Sequence, residues 1–423
     1  MSIRKTFAFL FLVLLAVPAW AQRGQEKVRR APRLDFPEQA PSLAAAKARW
    51  SRNLAHANPS SLPFQRGSSR PAILLTGYWP PSNEAVRKFS PDPVQNPGGW
   101  QGSNWEGRGY DLYAYFPEFN PPDCSFCGRG SGDLEVDYQD TSLDFWPIAD
   151  TLRPIAVITL SRGFLDNSWE VEMNQYNRLV WYDDYLPPFQ PTPAPPDSDE
   201  AAGFLRNSSL PVQDIVDAVN QANLGVNAAV CWTGDGGGFL SEFIAYHGVW
   251  YRDPLSAPPD PNWCIAAGHI HVGGRLDWPT AEAALEVSVR TVTDYLDLVI
   301  AATVCQPDLG YGGPGSAQLA VCGDPLATGG SAEMLVWDGV PLGPGFLVGG
   351  FQFSPTAWNG GLVVPVPIHQ QRTFVFDDEG RWAGPTVPGG LGLFSYYIQA
   401  VYPDASQSLG YGFSNAVQLN SLP

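Results

Sequence analysis

The feature that most constrains the fold is an alternation of apolar runs and helical segments that begins near residue 71 and stops near residue 305. Apolar runs at 72–78 (AILLTGY), 155–160 and 227–232 have the length and composition of buried strands. A fourth run begins at 264–267 and leads into His269-Ile270-His271. Strands spaced this widely along a chain indicate that helices connect them.

Three segments between and after these runs are predicted to be helices. Ser209-Leu210-Pro211 opens the first, with serine as the cap and proline in the first turn. The second covers 239–250, and the third covers 279–303, where residues 285, 289, 292, 296 and 299 form one apolar face. We therefore expect an α/β domain over 71–304, a three-layer arrangement whose mostly parallel sheet has helices on both faces.

The segment that follows has a different composition. Residues 306–423 contain 21 of the 43 glycines and no lysine. Short apolar runs at 334–337, 373–376 and 396–400 are separated by Gly/Pro turns. This pattern predicts a C-terminal all-β, sandwich-like domain over 305–423.

The N-terminal segment has the three regions of a secretory signal. Arg4 and Lys5 precede an apolar run at 7–17 and a small-residue cleavage site at 19–21. We expect a signal peptide at 1–21, a basic, flexible lead at 22–70, and a secreted or periplasmic protein. The apolar run is too short to span a bilayer and no other is long enough, so no membrane span is predicted.

The distribution of charge argues against nucleic acid as a partner. The net charge is −17, but residues 1–70 carry 12 basic and 3 acidic side chains, which leaves −26 on the rest. A surface this acidic repels phosphate backbones. We expect no nucleic-acid partner.

Six cysteines in an exported chain favour disulfides. The sequence allows 15 connectivities, of which we favour Cys124–Cys127, Cys231–Cys264 and Cys305–Cys322. A zinc site at the first pair is disfavoured because no second Cys/His pair has finger-like spacing. We expect no metal and no cofactor.

One segment combines features of a nucleophile site. Residues 233–243 (TGDGGGFLSEF) place Ser241 in the first turn of a helix after a glycine run. The N–H groups and dipole there favour a developing anion, as acyl transfer requires. A serine that only caps the helix is the alternative. His247 is expected to be a half-buried packing residue, which leaves His269 and His271 as candidate bases.

Five segments, in order over about 71–303, resemble the pyroglutamyl (pyrrolidone-carboxylate) peptidases, an α/β cysteine peptidase family. Residues 76–81 (TGYWPP) resemble its TGFEPFG, and 169–177 (WEVEMNQYN) resemble IxLExxAxN. Residues 210–216 resemble LPxxxIVxxL, 236–242 resemble AGxYLCN, and 269–272 (HIHV) resemble FxHVP. The resemblance implies that Glu172 and His271 occupy the positions of the catalytic carboxylate and histidine.

The resemblance also implies a substrate and a mechanism. Ser241 stands where the family has its cysteine, which implies a Ser-His-Glu hydrolase acting on small peptides or acyl amides at an N-terminal acyl or pyroglutamyl-type group. The residues expected to contact the substrate are Tyr78, Trp79, Gly237 and Phe239. Chemistry at another place and a catalytically inactive protein that binds peptides or glycans are the alternatives. A contact with a surface or glycan through the C-terminal domain is left open.

A second acidic segment offers another chemistry. Residues 134–146 contain Glu135, Asp137, Asp140 and Asp144 beside aromatic residues, a composition compatible with a glycoside hydrolase. We favour a solvated acidic loop that leads into a helix.

Overall fold

A computed structural model describes residues 70–120, 128–163, 167–232 and 237–423. The predicted signal peptide, the lead up to residue 69 and the Cys124–Cys127 pair lie outside these residues. Within the described residues, no helix combines the length and apolar character needed to cross a membrane.

The first part of the chain forms one six-stranded mixed sheet with five described helices. The strands and short β segments are β1 (Ala72–Thr76), β2 (Asp111–Tyr115), β3 (Ala156–Arg162), β4 (Ser168–Glu172), β5 (Asn174–Tyr176), β6 (Leu205–Asn207), β7 (Asn227–Cys231) and β8 (Ala266–Val272). The helices are α1 (Ser82–Val86), α2 (Tyr138–Leu152), α3 (Val212–Gln221), α4 (Leu240–Arg252) and α5 (Trp278–Ala302).

The sheet order is β2-β1-β3-β8-β4-β7, and β5 pairs with β6 outside it. Strands β2, β1, β3 and β8 run parallel, as the alternation predicts. Strand β4 is antiparallel to β8, and β7 is parallel to β4. The connection from β3 to β4 is too short for a crossover that would start β4 in the direction of β3, and β8 lies between these two strands and is parallel to β3, so β4 pairs antiparallel with β8.

Helices cover both faces of the sheet, as predicted. Helices α1, α3 and α5 bury one face through aliphatic side chains such as Ile215, Leu285 and Val289. Helices α2 and α4 bury the other face through Phe145, Phe243 and their neighbours. The start of α3 differs from the prediction. Ser209 does not cap the helix, because its hydroxyl accepts a hydrogen bond from the backbone N–H of Ala267 in β8 at 2.8 Å.

The remaining strands form a β-rich domain with two larger sheets. They are β9 (Val304–Cys305), β10 (Asp308–Gly310), β11 (Gln318–Gly323), β12 (Ser331–Trp337), β13 (Pro344–Gly350), β14 (Phe353–Trp358), β15 (Gly361–Pro365), β16 (Gln370–Val375), β17 (Trp382–Ala383), β18 (Val387–Pro388), β19 (Phe394–Pro403) and β20 (Tyr411–Ser421). One sheet has the order β10-β20-β19-β13-β16, and the other has β17-β12-β11-β9 with β18 beside β12. Side chains of β11, β12, β19 and β20 share one core, which is the packing of a sandwich.

The cysteine predictions have mixed outcomes. Cys305 and Cys322 form the predicted disulfide, across the paired strands β9 and β11. The predicted Cys231–Cys264 bridge is wrong, since neither cysteine forms a disulfide. Cys231 lies on β7 and Cys264 lies just before β8, and β4 separates these two strands, which are therefore about 10 Å apart. A disulfide requires Cα atoms within about 7 Å.

We expect the Cys305–Cys322 disulfide to stabilise the β domain by about 3 kcal/mol, because it closes a loop with a sequence separation of 17. The free energy of unfolding of the double Cys305→Ser/Cys322→Ser variant should be lower by that amount, so its urea midpoint should fall. Cys231→Ser, which removes a cysteine outside the disulfide, is the matched control. Identical urea midpoints for the double variant and the unmodified protein would contradict the prediction.

Candidate functional site

Polar side chains form a band on the face of the sheet that α2 and α4 cover. Strands alternate their side chains between two faces, so residues opposite one another share a face. Thr159 lies beside His269, and His269 lies opposite Glu172. Two residues away on each strand, and therefore on the same face, His271 lies opposite Glu170. The sheet register therefore brings two histidines and two glutamates from β8 and β4 together.

His271 and Glu172 are in direct contact. The Nδ1 atom of His271 lies 2.8 Å from Oε1 of Glu172. His271 is 9% exposed and Glu172 is 2% exposed. A carboxylate on Nδ1 holds the ring in one orientation and leaves Nε2 as the nitrogen that can exchange a proton with a substrate or nucleophile. The motif resemblance predicts that these two residues occupy the positions of a catalytic histidine and carboxylate, and those roles stay predictions.

His269 has both ring nitrogens engaged inside the protein. Nδ1 lies 2.9 Å from Oγ1 of Thr159, and Nε2 lies 2.9 Å from Oγ of Ser161. Burial, and then the neighbouring His271, lower the pKa of His269 well below its usual value. His269 is therefore a neutral residue held by two hydroxyl groups of β3, whereas His271 is held by a carboxylate.

Ser241 lies in the first turn of α4, as the sequence predicts. It is 2% exposed, and its helix packs on β3 and on β8, the strand that carries both His269 and His271. Phe239 precedes the helix in an extended conformation and makes no side-chain cap. Gly237 has a φ of 87°, a left-handed conformation that glycine adopts without strain. The backbone thus turns sharply into the helix just before the serine.

The three aromatic residues predicted to contact a substrate form part of one buried cluster. Trp79 stacks on Phe239 with ring centroids 6.2 Å apart, and its Nε1 donates to the carbonyl of Gly128 at 2.9 Å. Tyr78 forms a hydrogen bond with Thr141 through its hydroxyl group. Each of the three is at most 3% exposed. Substrate contact by these side chains stays a prediction.

The acidic segment at 134–146 is not a solvated loop, which corrects the sequence interpretation. Glu135, Asp137, Asp140 and Asp144 are all buried. Asp137 caps α2 by accepting from the N–H groups of residues 139 and 140, and Asp144 accepts from the N–H of residue 134 at 2.7 Å. Buried carboxylates require such hydrogen bonds. The helix that the sequence predicts there is present.

His247 is a packing residue, as predicted, but it is fully buried on α4. Its Nδ1 donates to the carbonyl of Phe243 at 2.8 Å, and Nε2 lies 3.0 Å from Oγ of Ser142. Both contacts suit the neutral ring. Burial lowers the pKa of His247 from 6.5 to about 4.

This shift predicts a pH dependence of stability. Between pH 6.5 and 4 the unfolded chain binds a proton at His247 that the folded protein does not, so stability falls as pH falls through this range. The loss is expected to be about 3 kcal/mol. The free energy of unfolding of each protein is measured by urea titration between pH 6.5 and 4. We expect it to decline less in His247→Gln than in the unmodified protein, and the difference between the two declines should equal this amount. Parallel pH profiles would contradict the assignment.

Two features of the site were not identified from the sequence. Glu170 lies on the same face as Glu172 and opposite His271. Ser161 and Thr159 hold His269. The alternation in 168–172 (SWEVE) and in 156–162 (AVITLSR) was the available signal, because residues two apart on a strand share a face.

Solved structures of pyroglutamyl peptidases resemble this chain over about half of its length. The pyrrolidone carboxyl peptidase from Thermococcus litoralis has 16% sequence identity and a TM-score of 0.38, covering 54% of this chain and 96% of that one. Pyroglutamyl peptidase I from Bacillus amyloliquefaciens has 17% sequence identity and a TM-score of 0.36, covering 53% of this chain and 95% of that one. Pyrrolidone carboxyl peptidase from Pyrococcus furiosus has 10% sequence identity and a TM-score of 0.37, covering 53% of this chain and 99% of that one. No protein-family profile and no curated protein sequence matches the chain.

Proposed function

We propose that this protein is a hydrolase that cleaves an N-terminal acyl or pyroglutamyl-type amide through Ser241, His271 and Glu172. The observation that carries the proposal is the 2.8 Å contact between Nδ1 of His271 and Oε1 of Glu172 on adjacent strands. A buried carboxylate in this position stabilises the imidazolium that forms when the ring accepts a proton. The pair therefore has the chemistry of an oriented general base.

The proposed reaction has two steps. Nε2 of His271 accepts the proton of the Ser241 hydroxyl while Oγ attacks the carbonyl carbon, and the same proton then passes to the leaving amine. Water next attacks the acyl-serine and gives one proton to His271; as the bond between the acyl carbon and Oγ breaks, His271 returns that proton to Oγ of Ser241, which releases the acid and restores both the serine hydroxyl and the neutral imidazole. In both steps the carbonyl oxygen becomes negative. The first turn of α4, where Ser241 lies, favours that charge.

A panel of N-terminally blocked peptide amides tests the activity and the acyl group together. The purified protein is expected to release the amine from at least one acyl amide, with pyroglutamyl amide as the first candidate. Cleavage of other acyl amides with an inert pyroglutamyl amide would contradict the pyroglutamyl specificity alone. Failure to cleave any member would contradict the hydrolase.

A cleft in the β domain favours glycan binding as a second candidate function. It has a volume of about 470 Å³, and its lining includes Phe351, Phe394 and Tyr396. Aromatic faces of this kind present large, rigid apolar area to a ligand. On a glycan array, binding that survives Ser241→Ala and is lost in Tyr396→Ala would support this candidate. An array without binding would exclude it for the glycans displayed.

Export is part of the same proposal and is supported by the three-region pattern of residues 1–21. Expression of the full chain in a bacterial host is expected to yield a product that begins after Ala21. N-terminal sequencing of an intact cytoplasmic product would contradict export.

A further inference from the structure

Glu170, Glu172 and His271 form a compact group of metal-ligand atoms. One oxygen from each glutamate and one ring nitrogen of His271 lie within 4.8 Å of one another. In a tetrahedral zinc site with ligands at about 2.1 Å, neighbouring ligand atoms lie about 3.4 Å apart. Side-chain rotations that move these atoms by about 1 Å would therefore bring all three to one ion, without a change in the strands.

A second observation also indicates a ligand at this place. Glu172 uses Oε1 for its contact with His271, while Oε2 is buried and has no hydrogen-bond partner among the described residues. A buried carboxylate oxygen without a partner is costly, and a bound cation would satisfy it. Glu172 is itself 98% buried, so water does not reach this oxygen in the structure.

We propose that Glu170, Glu172 and His271 bind one Zn²⁺ ion. Zinc accepts a mixed set of imidazole nitrogen and carboxylate oxygen, whereas Ca²⁺ and Mg²⁺ prefer oxygen ligands alone. Three protein ligands leave the fourth position for water. Glu170 is only half-buried, so the ion enters from its side of the group.

The site shares two residues with the proposed hydrolase and therefore has a consequence for it. Zinc on Nε2 removes the nitrogen that accepts the serine proton, and zinc on Nδ1 displaces the contact with Glu172. Either mode stops His271 from acting as an oriented base. Zinc binding does not depend on the proposed function, but inhibition by zinc rests on it.

Isothermal titration of the metal-free protein with Zn²⁺ tests the site directly. We expect one ion per chain in the unmodified protein and an affinity at least about tenfold lower in Glu170→Gln, since even loss of an outer-shell partner has an effect of this size. Glu333→Gln, an exposed glutamate on β12, is the matched control and should bind as the unmodified protein does. Ca²⁺ should give no comparable heat.

The outcomes separate this proposal from the hydrolase. No zinc binding, or equal affinity in the Glu170→Gln and unmodified proteins, would overturn the metal site whether or not amides are cleaved. Hydrolysis that is inhibited by zinc in the unmodified protein but much less in Glu170→Gln would support both proposals. Hydrolysis that requires zinc would support the site and contradict the serine mechanism. Folding of Glu170→Gln is checked by its circular dichroism spectrum.

Discussion

The Ser241→Ala variant is expected to lose about 10⁴-fold or more of the amide-hydrolysis kcat/KM, because no acyl-enzyme can form without the hydroxyl group. Alanine keeps the helix, and Ser241 is a small buried residue in its first turn. The fold should therefore survive the substitution. The measurement is steady-state hydrolysis of the best amide from the blocked-peptide panel, with the unfolding midpoint determined on the same preparation.

Two further variants make this result specific. Ser142→Ala removes a hydroxyl group that contacts His247 instead of the site, and its activity should stay close to that of the unmodified protein. Ser241→Cys places a thiol at the same position and should regain hydrolysis that iodoacetamide abolishes. Full activity in Ser241→Ala would show that another group performs the attack.

The second large effect concerns the two histidines of β8. His271→Gln is expected to reduce kcat/KM by about 10²- to 10⁴-fold, the usual contribution of a general base. His269→Gln should keep most of the activity, because both nitrogens of His269 are engaged by Thr159 and Ser161. The two substituted histidines are neighbours on the same face of β8, so each variant serves as the control for the other.

Comparison of their kcat/KM values decides which imidazole is the base. A larger loss in His269→Gln than in His271→Gln, with both proteins folded by circular dichroism, would contradict the assignment. Loss of equal size in both would indicate that the pair acts together, which the separate hydrogen-bond partners of the two rings do not predict.

The architecture was predictable from the sequence where local signals and packing agree. The apolar residues of the long helix α5 recur at a helical spacing, and the short apolar run of β1, which ends in Thr76-Gly77, has the length of a buried strand. The reversed strand β4 was not predicted, since its direction depends on the length of a connection and on pairing with β8. The same unpredicted strand separates Cys231 from Cys264 and explains the wrong disulfide.

The candidate site was predictable only in part. His271 and Glu172 were selected by motif resemblance, and their contact depends on the register between β4 and β8, which the sequence does not specify. The acidic residues of 134–146 were interpreted as solvated because composition does not reveal burial. Their hydrogen bonds to backbone N–H groups appear only once α2 and its preceding turn are in place.

Reaction with a fluorophosphonate, followed by mass-spectrometric mapping, tests the hydrolytic site most directly. This reagent reacts with a serine only when a neighbouring base activates its hydroxyl group. We expect one adduct on Ser241 in the folded, metal-free protein and little or none in His271→Gln. A folded protein that stays unlabelled, or that is labelled at a different serine, would contradict the central claim.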